Sequence, residues 1–236
     1  RDPTVRFPAE LVEDGILTEA DVEGMRAAVD EEEAEAVAFA DASPEPSIEE
    51  LYADIVAEPP PVIEPSGDVE EMSVTEALGA ALREYMEEEP RAFVMGEDVN
   101  KYGGAYGVTG GLAEAFGDER VRDTPIAEGG IAQVATGASM AGLRPVAEIM
   151  TVNFALLASD SIINHAAKIR SMFGGQASAP VVVRTVGGGV QLGATHSQNF
   201  DTLFAHVPGL RVAAVGTPYD AKGLLATALR LDDPTI

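Results

Sequence analysis

Asp123-Thr124-Pro125-Ile126-Ala127-Glu128-Gly129-Gly130-Ile131-Ala132-Gln133 is the stretch from which the fold can be read. A short apolar approach delivers one acidic residue, and two glycines then open a run of small residues reaching Gly142. Pro125 fixes its own φ and biases Thr124 towards extended geometry, so the chain arrives at Glu128 as a strand end or turn. A helix is expected from Ile131 to Ala141, thin-sided through Ala132, Ala135, Gly137, Ala138 and Ala141. Glu128, in small and apolar company, is a candidate site residue. The competing structural reading is a helix N-cap acid favoured by the macrodipole.

Outward from this stretch the pattern alternates. Ser73 with Glu76 predicts a capped helix closed by Pro90, and Ala92-Phe93-Val94-Met95 a strand. A glycine-rich loop (Gly103 to Gly111) leads to a short helix ending near Phe116. Beyond Gly142 the pattern predicts a strand at Pro145–Met150, a helix at Leu156–Phe173 and a β-branched strand at Val181–Val186. A second glycine-rich loop follows at Gly187–Gly193, then a helical turn between Gln198 and Ala205. A strand at Arg211–Val215 and a helix from Pro218 to Leu231 complete the series. Strand and helix in turn, with short links, predict an α/β fold: a doubly wound, mostly parallel sheet covered on both faces. Ligands of such sheets bind at the carboxyl ends of strands, where Glu97, Asp98, Glu128, Phe154 and His196 fall.

The front of the chain differs in charge. Of the net −25, residues 1–71 carry −19, from 22 acids against three arginines. Thr18 opens an amphipathic helix through Val22, Met25, Val29, Val37 and Ala40, which Ser43-Pro44-Glu45-Pro46 breaks. Ser47 with Glu50 predicts a second short helix ending at Glu58-Pro59-Pro60-Pro61. The expected organisation is a helical tail at 1–60, a Pro- and Gly-rich linker at 61–72 and one domain at 73–236. The tail holds too little apolar surface for its own core and is expected to pack on something else. Acidity of this degree argues against nucleic acid as a partner. No apolar run is long enough to span a membrane. With no cysteine, disulfides and thiolate chemistry are excluded. The start at Arg1 lacks an apolar signal, which favours a cytoplasmic location, and the chain is expected to be a piece cut at both ends.

Competing chemistries are weaker. The Gly187–Gly193 loop runs into Thr195-His196-Ser197-Gln198 instead of opening a helix, unlike a dinucleotide fingerprint. His165, His196 and His206 share no metal-ligand spacing, and no G-x-S-x-G elbow follows a strand.

Six motifs in order carry a resemblance: Gly96-Glu97-Asp98-Val99, Tyr102-Gly103-Gly104, Asp123 to Glu128, Ala141-Gly142-Leu143-Arg144-Pro145, Met150-Thr151-Val152-Asn153-Phe154 and Thr195-His196-Ser197-Gln198. Together they resemble the pyrimidine-binding domain of the beta subunit of thiamine-diphosphate-dependent 2-oxoacid dehydrogenases, with a transketolase-like fold. Residues 1–60 resemble the C-terminal tail of the alpha subunit, as in Asp2-Pro3, Leu11-Val12-Glu13-Asp14-Gly15 and Ser43-Pro44-Glu45-Pro46. That makes the chain the junction of an alpha–beta fusion.

The resemblance implies roles. Glu128 matches the carboxyl that hydrogen-bonds the aminopyrimidine and drives its tautomer change. Phe154 matches the aromatic stacked on that ring, Ile126 and Met150 match apolar pocket neighbours, and His196 matches an imidazole facing the reacting centre. Magnesium, which holds the diphosphate, is expected on the missing alpha portion. A structural potassium ion is expected through Val181, Ala228, Leu229, Leu231 and Asp233. Val152 departs from the family, standing where many relatives carry Phe. The implied activity is decarboxylation of a 2-oxoacid, pyruvate first, with acyl transfer to the lipoamide of an acyltransferase component. Acetoin and branched-chain 2-oxoacids are alternative substrates, and a non-catalytic module that kept the fold is the alternative class. The fragment alone is expected to be inactive. Its expected partners are the alpha portion, a second copy in a heterotetramer-like assembly, and the lipoyl acyltransferase.

Overall fold

The computed structural model describes residues 2–59, 62, 64, 67–188 and 192–236. Part of the expected linker (Pro61, Ile63, Pro65, Ser66) and the middle of the second glycine loop (Gly189, Val190, Gln191) lie outside the described residues. Two compact units are present, Arg1–Leu51 and Tyr52–Ile236, so residues 52–59 belong with the sheet domain.

In the first unit, α1 (Pro3–Glu13) starts with proline at its N-terminus, and Asp2 accepts from the Thr4 amide at 2.9 Å. The expected long helix is α2 (Glu19–Ala42), whose Thr18 and Asp21 form a reciprocal capping box. Val22 is its one buried residue, whereas Met25, Val29, Val37 and Phe39 are exposed. The second expected helix is a single 3-10 turn, Glu49–Tyr52. Its capping pair forms, Ser47 donating its amide to Glu50, but the positive φ of Asp54 (55°) interrupts further winding.

In the second unit, α3 (Val74–Glu88) begins at the Ser73–Glu76 capping box. Next come β1 (Ala92–Gly96), α4 (Leu112–Phe116), β2 (Val121–Asp123), α5 (Glu128–Met140) and β3 (Arg144–Ile149). After these lie α6 (Ile169–Met172), β4 (Val182–Thr185), α7 (Asp201–Ala205) and α8 (Pro218–Arg230), the last capped by Thr217. All strand pairs are parallel, in the order β2-β1-β3-β4. One face packs Leu82, Tyr85 and Met86 of α3 and Leu225 and Leu229 of α8 on Val94, Val146 and Val182. The other packs Ile131, Ala132 and Ala135 of α5, with Ala155, Ile162 and Phe204, on Met95, Ala147 and Val183. Alternate residues of each strand thus enter opposite cores, and the expected doubly wound sheet is present.

Two elements depart from the pattern. The expected helix at Leu156–Phe173 is a 3-10 turn (Phe154–Leu156), a π-helical segment (Ser161–Ala166) and the single α turn α6. Bonds five residues apart widen it: the Ala167 amide donates to the Ile162 carbonyl at 3.1 Å, and His165 Nδ1 lies 3.2 Å from the Asp160 carbonyl. The expected strand at Arg211–Val215 reduces to a bridge at Arg211. Its neighbour in the sheet is the short segment Pro234–Ile236, which also bonds β4 through Val183 and Val181, so the ladder ends at Ala213.

Candidate active site

Four chain segments meet at the carboxyl ends of the strands. The first leaves β1 as Glu97-Asp98. Asp98 turns at positive φ (55°), its carbonyl accepts from the Gly104 amide, and Asn100 pins the loop to β2 through Val121 and Asp123. Asp123 therefore serves as a loop tether. The second segment leaves β2. The Thr124 amide bonds the Gly96 carbonyl at 2.9 Å, keeping the chain extended to Ala127. α5 begins three residues earlier than the small-residue pattern suggested, with Ala127 as N-cap and Glu128 inside the first turn.

Glu128 is thus not the N-cap itself but lies in the first turn, where the helix macrodipole still favours an acid. Its side chain is 6% exposed, and no hydrogen bond to it is seen among the described residues, while its oxygens are not among the fully buried atoms left without a partner. A carboxylate so placed lacks, among the described residues, the donors a structural acid collects. Close approach is enforced at Gly129, where a Cβ would stand 3.2 Å from the Leu157 carbonyl oxygen. Any larger residue would push the Phe154–Leu157 turn away from Glu128.

Glu97 was noted at this rim without a role, and the structure gives it one. Its Oε1 is buried without a partner. Burial, then the facing Glu128 and the adjacent Asp98, raise its carboxyl above the usual range. A carboxyl that is partly desolvated beside other carboxyls holds its proton more firmly than a free one.

Phe154 and His196 meet edge to face, ring centroids 5.1 Å apart at 81°. The Thr195 hydroxyl lies 3.1 Å from His196 Nδ1, which orients the imidazole. A bond that sequence reading missed holds the two loops in register: Asn153 Nδ2 donates to Gln198 Oε1 at 2.7 Å. The Val152 amide donates to the Val186 carbonyl at 2.8 Å. Both Asn153 and Gln198 stand in the quoted motifs, but nothing in a sequence pairs residues 45 positions apart. Val152, the departure from the family, is buried and would meet a Cβ on Gly187 at 3.2 Å, so the smaller side chain fills its space.

Met150 is half-buried beside this turn, while Ile126 is 82% exposed and enters no core. Buried hydroxyls of Thr124, Thr151 and Thr185, all at strand ends, lack partners, as does Asn153 Oδ1. Such a concentration marks a surface built to receive polar groups. His165 is occupied by Asp160, and His206 closes α7 as its C-cap; neither joins the site.

Three features lie outside it. Glu148 and Arg184, cross-strand neighbours in β3 and β4, form a buried ion pair. A cavity of about 450 Å³, walled by Val182, Val186, Val212, Val215, Leu225 and Ile236, lies on the α8 side and contains neither Glu128 nor His196. Four of the five residues named for potassium make other bonds. Asp233, 2% exposed, accepts from the Ala57 amide and from Arg211, and the carbonyls of Val181, Ala228 and Leu231 accept from Thr235, Leu231 and Arg144.

A parallel sheet with a buried carboxylate at a helix start and an aromatic–imidazole pair at the same rim defines an α/β ligand-binding domain of the doubly wound class. Residues 70–236 match the family model described as transketolase, pyrimidine binding domain, and the chain belongs to that family. It is 51% identical over 167 residues to the pyruvate dehydrogenase E1 component subunit beta of Rickettsia felis, covering 70% of this chain and 51% of that protein. The chloroplastic subunit beta-3 of the same component from Oryza sativa is 50% identical over 167 residues (70% and 43%). The 2-oxoisovalerate dehydrogenase subunit beta of Bacillus subtilis is 48% identical over 166 residues (70% and 51%). The chain thus spans about half the length of the curated relatives it matches. Among solved structures, a split-gene transketolase, an inactive beta4 tetramer, superposes with a TM-score of 0.55 at 23% identity, covering 70% of this chain and 50% of that one. At that identity the likeness extends to the fold alone.

Proposed function

We propose that this chain supplies the pyrimidine-binding half of a thiamine-diphosphate site in a 2-oxoacid dehydrogenase, with pyruvate the first substrate and lipoamide the acyl acceptor. The observation that carries the proposal is that the buried Glu128, in the first turn of α5, and the edge-to-face Phe154–His196 pair both lie at the carboxyl ends of one parallel sheet. The donor chemistry fits an aminopyrimidine: one carboxyl for a ring nitrogen, one aromatic face for the ring and unpaired strand-end hydroxyls for polar edges. When bound, thiamine diphosphate supplies the carbon nucleophile and electron sink for decarboxylation.

In this reading Glu128 holds and passes a proton at the pyrimidine nitrogen, in a space dry enough to strengthen that bond. Phe154 packs on the ring, and His196, fixed edge-on to Phe154, offers a nitrogen to substrate oxygen. Ile126, solvent-facing in the isolated chain, covers the site from the side where the cofactor and the alpha portion arrive. Magnesium and the diphosphate are assigned to that alpha portion by the resemblance. Residues 1–60, with the likeness to an alpha-subunit tail, join the two portions in one chain. α5 exposes Val134, Gly137 and Met140, a thin face suited to a second copy across a two-fold.

Glu128→Gln in the full-length protein should lower turnover by about 10²–10⁴. Unchanged turnover sinks the assignment. The Bacillus relative supports a second substrate class, so turnover should be compared on pyruvate, branched-chain 2-oxoacids and acetoin. Preference for a branched-chain acid would move the proposal to that class.

A further inference from the structure

The donors expected to bind potassium point elsewhere. Asp233 is buried, and both of its oxygens are taken: Oδ1 by the Ala57 amide at 2.7 Å, Oδ2 by Arg211 through Nε at 2.9 Å and Nη2 at 2.8 Å. Arg211 Nη2 also lies 3.4 Å from the Ala57 carbonyl, so guanidinium and carboxylate together grip one peptide of the segment leading to the linker. A second guanidinium, Arg144, bonds the Leu231 carbonyl at 2.8 Å and Asp232 at 2.6 Å. Each guanidinium is paired, Arg211 with Asp233 and Arg144 with Asp232, so the charge of both acids is balanced within the chain. The same segment is held again at Gly209, whose φ of 88° and absent Cβ let the chain pass against the Ala167 and Ile55 carbonyls.

We propose that Arg211 and Asp233 are a built-in substitute for a monovalent cation, and that this substitute clamps residues 55–57 to the end of the sheet. The charge that an ion would bring is supplied by the fold itself. The domain is therefore independent of potassium, and the connection to residues 1–51 is anchored by an ion pair without a metal. Asp233 is buried while Arg211 is 35% exposed, so removing the arginine leaves a stranded charge inside.

The test uses the full-length protein and needs no catalytic readout, so it stands or falls apart from the proposed activity. Wild-type protein should melt at the same temperature in potassium, sodium and choline chloride at equal ionic strength. A potassium-specific rise, the signature of a ligand that binds only the folded state, overturns the proposal. Arg211→Gln should lower the melting temperature on the order of ten degrees, and hydrogen exchange at the Ala57 amide should quicken about 10–100-fold. If that variant does not fold, Arg211→Gln combined with Asp233→Asn removes both charges and keeps the volume. Exchange at Ala57 should quicken there too, and protection equal to wild type in the variant that folds overturns the clamp.

Discussion

Asp233 and Glu128 are both buried acids in one domain, and the fold treats them oppositely. Asp233 receives three donors, two of them from the Arg211 guanidinium fork and one from the Ala57 amide, and its charge is neutralised on the spot. Glu128 receives none among the described residues, and its charged neighbour is another carboxyl, Glu97. Burying a charge is costly unless it is paired, so a lone acid persists only where something outside the chain completes it or where its strain serves chemistry. The contrast separates a carboxylate that holds the structure from one that waits for a ligand.

The sharpest way to break that contrast is Glu128→Gln. Beyond the proposed loss of turnover, the neutral amide should leave stability equal or higher, measured by urea midpoint, because no partner is orphaned. A large loss of stability would put Glu128 in Asp233's class. Arg211→Gln tests the other side, with an expected cost of about 3–5 kcal/mol from the same assay. Smaller is the effect of Phe154→Ala, which removes the ring and its edge contact with His196. Binding of thiamine diphosphate by calorimetry should weaken about tenfold, roughly 1.4 kcal/mol. Equal affinity would mean that Phe154 is ordinary core.

The smallest effect concerns Glu97 and carries a sign. Its folded-state carboxyl is raised, so its stabilising contribution is present below the unfolded value of about 4.3 and is lost as pH rises through the folded one. Glu97→Gln should therefore stabilise the protein at neutral pH by under about 1 kcal/mol, with the gain shrinking towards pH 5. A gain that grows on acidification would show that Glu97 is not desolvated beside Glu128.

How much of this was legible varies by residue. The capping box at Ser73 is a local hydrogen-bond code and formed as expected, as did the helix start at Thr18. β1, β3 and β4 followed from short apolar runs, and the placing of Glu128 at a strand-to-helix turn followed from Pro125 and the glycines. The helix at Leu156–Phe173 was misread because apolar spacing does not distinguish turns of 3-10, α and π width. The strand at Arg211–Val215 was misread because strand length depends on a neighbour, here only Pro234–Ile236. The bonds of Asp233 were not legible because its two partners lie 22 and 176 residues away.

The sequence by itself determined the parallel α/β architecture, the acidic front portion and the family, because periodicity, caps and ordered motifs are written within a few residues of one another. The tertiary structure alone decided which acids are satisfied. Glu97 meets Glu128, Asn153 meets Gln198, and Arg211 with Ala57 closes on Asp233 through contacts between distant segments. Charge becomes structural or functional only when the fold supplies a partner or withholds one.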